Sequence, residues 1–189
     1  MTPAIGHNNG PSLDEGASWR THAWRRARAD LLPTLPIEVV RLRLARAREL
    51  GLDYRTYAGV RASTGRDVVG FLYSTNALRL LRPTDHLPED RRARLASLKG
   101  CDRTAAVQPP LDARAVLAMA PLDAAHPAPA ALLPWPAMRD ALRAILRARG
   151  LPPDAVLLVG ETAAEREWCE AGRLAGFLLG DRAFAPLPQ

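Results

Sequence analysis

The sequence predicts a mixed α/β protein, in which an N-terminal helical portion packs on a small layer of three or four mostly parallel strands. Two observations predict this class. Apolar residues recur at helical spacing before residue 75, and after it helical patterns alternate with short apolar runs. Such alternation is typical of parallel sheets, because parallel strands need long crossover connections. We therefore divide the chain into a disordered tail, 1–16, a helical portion, 17–75, and an α/β portion, 76–189.

Three helices are predicted in the helical portion. The first begins at Ser18, a good N-cap residue, and runs to about residue 31. The second begins at Pro36 and ends before Gly51, which suits a helix C-terminus. A short third helix follows from the cap Asp53 to about residue 62.

The segment 65–76 admits two interpretations. Thr64 with Asp67 resembles a capping box, which favours a helix to about Thr75 followed by an extended segment, 77–82. The apolar run 68–73 could instead be a buried strand, and periodicity alone does not separate the two. We favour the helix.

The α/β portion contains the clearest alternation. In order, we predict a helix over 88–100, a strand over 104–107, a helix over 136–149, a strand over 155–159 and a helix over 163–175. The Pro/Ala-rich stretch 109–136 is predicted to be mostly loop, with a short element at 113–119.

The charge of the chain is positive and unevenly distributed. The 26 basic residues exceed the 20 acidic ones, for a formal net charge of +6. Eleven arginines face six acids within residues 1–66, so the excess lies in the first third of the chain. This is where a phosphate-binding face would be sought, although a solvated, arginine-rich helix pair explains the same pattern.

Several classes of protein are excluded. Cys101 and Cys169 stand far apart and the four histidines are scattered, which excludes a disulfide framework and a structural zinc site and favours a reduced cytoplasmic protein. The apolar runs are too short to span a membrane, and the N-terminus does not resemble a secretory signal. Neither a GxGxxG nor a GxxxxGK[ST] loop is present.

Residues 40–61 carry a first resemblance. Ala47 stands four residues before Gly51 in a tight turn between two helices, and this spacing resembles a DNA-binding helix-turn-helix. The pattern departs at Arg46, where an apolar residue is expected, and at Tyr57, where a β-branched one is. The resemblance implies that the third predicted helix, the one after Asp53, faces the major groove. Contacts to bases or phosphates would then come from Arg55, Thr56, Gly59, Arg61 and Arg66. The alternative is an ordinary helical hairpin with Gly51 as its C-cap.

Residues 136–177 carry a second resemblance. The hexapeptide Gly160-Glu161-Thr162-Ala163-Ala164-Glu165 follows an apolar strand and resembles the last catalytic motif, GDxxxD, of haloacid-dehalogenase-like phosphohydrolases. The resemblance implies Mg²⁺ held by Glu161 and Glu165. The chain contains no DxD, so the nucleophile of that family is missing, and a shared fold without the chemistry fits better. A capping box formed by Thr162 and Glu165 is the structural alternative.

These observations lead to one principal hypothesis and two alternatives. The principal hypothesis is a non-enzymatic cytoplasmic binding or regulatory protein without a cofactor, whose basic helical face contacts nucleic acid or an acidic partner. That face is built from Arg41, Arg46, Arg48, Arg55, Thr56, Arg61 and Arg66. The first alternative is a divergent Mg²⁺-dependent phosphohydrolase, or an inactive relative, with Glu161 and Glu165 in its site. The second is a structural subunit of a larger assembly, in which a partner buries Trp19, Trp24 and Trp135.

Overall fold

The computed structural model of the chain describes residues 35–186. The predicted tail, 1–16, and first helix, 18–31, lie outside these residues. The sheet and the described helices belong to one compact unit, Arg41–Gln189, except for the first turn of the helix that begins at Ile37. None of the helices within residues 35–186 is long and apolar enough to cross a membrane.

Seven α-helices and five strands form in the described part of the chain, in agreement with the predicted α/β class. In chain order they are α1 Ile37–Glu49, α2 Tyr54–Thr64, β1 Gly70–Ser74, α3 Glu89–Ser97, β2 Asp102–Val107, α4 Ala113–Met119, β3 Ala124–Pro127, α5 Trp135–Ala148, β4 Val156–Gly160, α6 Ala163–Gly172, β5 Gly176–Leu179 and α7 Gly180–Ala183. A single 3₁₀ turn, Pro153–Ala155, precedes β4.

The five strands form one parallel sheet in the order β3-β2-β1-β4-β5. In the centre, Leu72 of β1 lies opposite Thr104 of β2 on one side and Leu158 of β4 on the other. The chain builds outward from β1 to β3, then crosses to the other side of β1 and adds β4 and β5. The carboxyl ends of β1 and β4 are therefore neighbours at the point where the strand order reverses.

Helices cover both faces of the sheet. Along β1, Phe71 and Tyr73 belong to one apolar cluster and Leu72 to another, as the two-residue period of a strand requires. The first cluster includes Leu50, Tyr57, Leu95 and Val116, from the α1–α2 region, α3 and α4. The second includes Leu142 and Ile145 of α5 and Trp168 of α6. The α1–α4 layer and the α5–α6 layer thus lie on opposite faces.

The predicted boundaries of the α1–α2 pair are confirmed. Gly51 follows α1 with a φ of 62°, a left-handed conformation that costs glycine little, and the Leu52 amide donates to the carbonyl of Ala47. Asp53 caps α2 by accepting a hydrogen bond from the Thr56 amide at 2.9 Å.

The predicted helix over 65–75 is wrong, and the strand interpretation is correct. Thr64 is the last residue of α2, and its hydroxyl donates to the carbonyl of Val60 rather than capping a new helix. Asp67 accepts from Arg46 and from Tyr57. β1 is buried along its whole length because it has strands on both sides and helices on both faces. The segment 77–82 is also not a strand, since it begins in a turn closed by Leu80 N–H to the carbonyl of Thr75.

The sheet has five strands rather than three or four because β3 and β5 carry weak sequence signals. β3 is Ala-Ala-His-Pro, and its strand conformation comes from pairing with β2, where Thr104 lies opposite Ala124. The 109–136 stretch thus contains β3 as well as the expected short element, which is α4. β5 begins after the three-residue connection 173–175 that follows α6, and it pairs with β4.

Candidate functional site

The loops that follow β1, β2 and β4 meet at the carboxyl edge of the sheet. In open α/β sheets ligands bind in the crevice outside this edge, where the strand order reverses. The loop after β1 carries Thr75 and Asn76, the loop after β2 carries Gln108, and the turn after β4 leads through Glu161 into α6. This is the region in which a site of the phosphohydrolase type would lie.

Glu165, in the first turn of α6, joins these three loops. Its side chain is fully buried. One carboxylate oxygen, Oε1, accepts from Asn76 Nδ2 at 3.0 Å and from Gln108 Nε2 at 3.1 Å. The other, Oε2, accepts from the amides of Glu161 at 2.6 Å and Thr162 at 2.9 Å. The Thr162 hydroxyl in turn accepts from the Glu165 amide, which completes a capping box. We call Glu165, Asn76 and Gln108 the carboxyl-edge lock.

The hydrogen bonds to Glu165 leave its carboxylate without a lone pair for a metal ion. A carboxylate has about four lone-pair positions, and four donors occupy those of Glu165. Among residues 35–186, no group of three or more His, Cys, Asp or Glu side chains could hold a metal ion. The residues present therefore do not fit Mg²⁺ held between Glu161 and Glu165.

Glu161 has different contacts from Glu165. Its Oε1 is buried, receives no hydrogen bond within the described residues and lies 3.7 Å from the Arg79 guanidinium. A Cβ at Gly180 would collide with this oxygen, so the absence of a side chain at Gly180 makes room for it. Arg79 also donates to Asp181 at 2.8 Å. The Glu161 carboxylate is thus part of a surface charge network.

The hydroxyl groups after β1 are also engaged in local structure. Ser74 is fully buried, and its Oγ accepts from the Ala77 amide at 3.1 Å. The Thr75 hydroxyl donates to Gln108 Oε1 at 3.3 Å and accepts from the Gln108 amide at 3.2 Å. These contacts hold the loop after β1 against the loop after β2. They fix the loops and present no activated nucleophile.

Arg46, a residue of the predicted basic face, is only partly exposed because its side chain is held by other parts of the chain. Its guanidinium donates to Asp67, to Glu49 and to the carbonyls of Val68, Lys99 and Gly100, over distances from 2.9 to 3.2 Å. Burial lowers the pKa of Arg46, but its hydrogen bonds with Glu49 and Asp67 outweigh that effect and leave the pKa raised. The side chain ties α1 to the start of β1 and to the loop between α3 and β2, so it is not available to a partner.

The other residues of the predicted face differ in exposure and in contacts. Thr56 is held by Asp53, which accepts from both its amide and its hydroxyl, and Arg66 pairs with Asp154 at 2.7 Å. Arg61 is partly buried, with no hydrogen bond to its Nε from the described residues. Three arginines are exposed and have no carboxylate within ion-pair distance in residues 35–186: Arg41, Arg48 and Arg55. We call these three the basic face.

Two groups of polar residues were not found from the sequence. The contacts of Asn76 and Gln108 with Glu165 could not be predicted from local spacing, because this shared partner lies 89 and 57 residues away along the chain. Arg143 and Arg147 of α5 are four residues apart, and this helical spacing would have revealed a second basic surface. Of the three tryptophans expected at a partner surface, Trp135 is 48% exposed. Trp19 and Trp24 lie outside the described residues.

Comparisons of the chain with protein-family models, with curated proteins and with solved structures find no match.

Proposed function

We propose that this chain is a non-enzymatic cytoplasmic protein that binds nucleic acid through the basic face, Arg41, Arg48 and Arg55. The observation that carries the proposal is that these three side chains are exposed and have no acidic partner in residues 35–186. Exposed arginines without an acidic partner attract phosphates, and release of the counterions bound to the nucleic acid drives the association.

The arrangement of the α1–α2 pair supports phosphate contacts. Arg41 and Arg48 are seven residues apart, which places them on one side of α1, separated by about 10 Å along its axis. Arg55 lies in the first turn of α2, after the turn at Gly51. The pair α1–Gly51–α2 resembles a helix-turn-helix, in which the first helix crosses the backbone and the second enters the major groove.

The outer side of α2 is free enough of neighbouring atoms for this helix to enter the major groove of DNA. Tyr57 and Val60 are buried, whereas Arg55 and Gly59 are exposed on the other side of the helix. A Cβ built on Gly59 would meet no atom within 4 Å. A side chain introduced at Gly59 therefore leaves the fold intact and changes only what the helix presents to a partner.

Fluorescence anisotropy with a labelled random duplex, over a range of salt concentrations, tests the proposal. The triple variant R41A/R48A/R55A is expected to bind more weakly, with a slope of log affinity against log salt that is smaller by about 2.7 for three lost phosphate contacts. The control R82A/R114A removes two exposed charges elsewhere and is expected to keep most of the affinity. Affinity that does not depend on salt contradicts the proposal.

Position 59 gives a second test that does not remove any arginine. Gly59→Glu is expected to weaken duplex binding at least tenfold, because it places a negative charge beside the phosphates. Gly59→Ala fills the same open space without charge and is expected to bind within about twofold of the wild type. Equal binding by the two variants contradicts contact through α2. Binding by the wild type to an acidic peptide, but not to DNA or RNA, would indicate an acidic protein partner instead.

A second candidate function is a divergent haloacid-dehalogenase-like phosphohydrolase or an inactive relative of that family. The observation in its favour is that Gly160 ends β4 and Glu161 follows it beside the end of β1, where the strand order reverses. The saturated Glu165 and the lack of a carboxylate in the Ser74–Thr75–Asn76 turn favour the inactive form. Turnover of generic phosphate esters with Mg²⁺, lost in Glu161→Ala, would support the active form.

A further inference from the structure

A shallow groove of about 290 Å³ lies beside the C-terminal half of α5, on the face of the sheet opposite to α1 and α2. Its lining combines two arginines with three apolar residues: Arg143, Arg147, Leu146, Leu151 and Pro153. The volume is at the lower end of the range for small-molecule pockets, about 300–1,000 Å³, so the groove suits one small ligand unit.

The two arginines of the groove are on one side of α5. They are four residues apart, about 6 Å along the helix axis, so both guanidinium groups can reach the same anion or two adjacent ones. Within residues 35–186, neither has a carboxylate at ion-pair distance, whereas Arg139, one turn earlier, pairs with Asp140 at 3.4 Å.

Three acidic groups near the groove along the chain or beside its lining already pair with other arginines, the first being Asp140 with Arg139 at 3.4 Å. Asp154 follows Pro153, and its carboxylate lies 2.7 Å from the guanidinium of Arg66. Asp102 pairs with Arg149 at 2.6 Å. The charge presented by the groove is therefore that of Arg143 and Arg147.

We propose that this groove binds one nucleotide of a single-stranded nucleic acid. The phosphate binds to Arg143 and Arg147, and the base lies against Leu151 and Pro153, with a guanidinium plane available for stacking. A duplex does not fit this description, because its bases are paired and stacked inside the helix. The inference rests on the proposed function in that both surfaces take nucleic acid, but it concerns a different surface and a different form of the ligand.

The test uses the full chain and two fluorescein-labelled probes, a 12-nucleotide oligo-dT and a random duplex. R143A/R147A is expected to bind oligo-dT at least tenfold more weakly, with a salt slope that is smaller by about 1.4 for two lost contacts to a single strand. Its affinity for duplex is expected to stay within about twofold of the wild type. R82A/R114A, which removes the same number of charges elsewhere, is expected to bind oligo-dT like the wild type. Thermal melting verifies that the variants are folded, and the single variant R147E provides an independent change at an exposed position.

The outcomes separate this inference from the proposed function. If R143A/R147A binds oligo-dT as R82A/R114A does, the groove inference is overturned, while loss of duplex binding in R41A/R48A/R55A still supports the basic face. If R143A/R147A loses oligo-dT binding and R41A/R48A/R55A retains duplex binding, the groove inference stands and the basic face does not. If the wild type binds neither probe at low salt, both are overturned.

Discussion

Replacement of Glu165 by alanine tests the carboxyl-edge lock. The substitution removes the acceptor for four donors, which are the side-chain amides of Asn76 and Gln108 and the backbone amides of Glu161 and Thr162. A donor that loses its partner away from solvent costs about 1–3 kcal/mol. Because residues 76, 108 and 161 are partly exposed and residue 162 is exposed, water can reach these donors, and the low end of the range applies. The expected loss is about 4 kcal/mol of the free energy of unfolding.

Urea denaturation followed by circular dichroism measures this loss. With an m-value of about 2 kcal/mol/M, the midpoint is expected to fall by about 2 M while the m-value stays unchanged. Glu165→Gln keeps one acceptor oxygen and is expected to lose about half as much. Glu167→Ala changes an exposed glutamate on the same helix and is expected to leave the midpoint unchanged. A loss of less than about 1 kcal/mol in Glu165→Ala would refute the reasoning that this carboxylate holds the three loops together.

Three further predictions concern single positions. Gly160→Ala is expected to lower the melting temperature, because its Cβ would lie 2.8 Å from the ring of Phe177, whereas Gly59→Ala, in open space, is expected to raise it slightly. Arg46→Lys is expected to cost about 2 kcal/mol by urea denaturation, since a single ammonium cannot replace five hydrogen bonds from a planar guanidinium. The hydrogen bonds from Arg103 outweigh burial and hold the pKa of Asp123 below its ordinary value. The wild type is therefore expected to be more stable than Asp123→Asn, and this advantage is expected to be complete above about pH 4. It is expected to vanish as the pH falls through the lowered pKa of Asp123. An advantage that persists at the lowest pH would contradict this assignment.

The elements that could be predicted from the sequence are those with a strong local signal. α5, β4 and α6 combine clear periodicity with turn residues at their ends, and their predicted types were confirmed. β1 was predicted to be a helix because a fully buried parallel strand lacks the alternation that identifies a half-buried one. β3, with two alanines and a proline, has no strand signal of its own, and only pairing with β2 gives it that conformation.

The candidate site was less predictable because its contacts join distant parts of the chain. The capping box of Thr162 and Glu165 lies within one helical turn and could be predicted. The contacts of Glu165 with Asn76 and Gln108 depend on the strand order, which brings the ends of β1, β2 and β4 together. The sequence likewise could not show that Arg46 would form hydrogen bonds with distant segments while Arg41 and Arg48, on the same helix, remain exposed.

The position of β1 in the centre of the sheet has a consequence for synthesis of the protein on the ribosome. Leu72 pairs on one side with Thr104 and on the other with Leu158, so the second neighbour of β1 is made 54 residues after the first. At about 5–20 residues per second, the nascent chain spends several seconds with β1 and β2 made and β4 still to come. During this interval one side of a strand that the folded protein buries along its whole length has no partner in the sheet and can pair with another chain. Chaperone binding to nascent chains would therefore be greatest at lengths between the end of β2 and the end of β4.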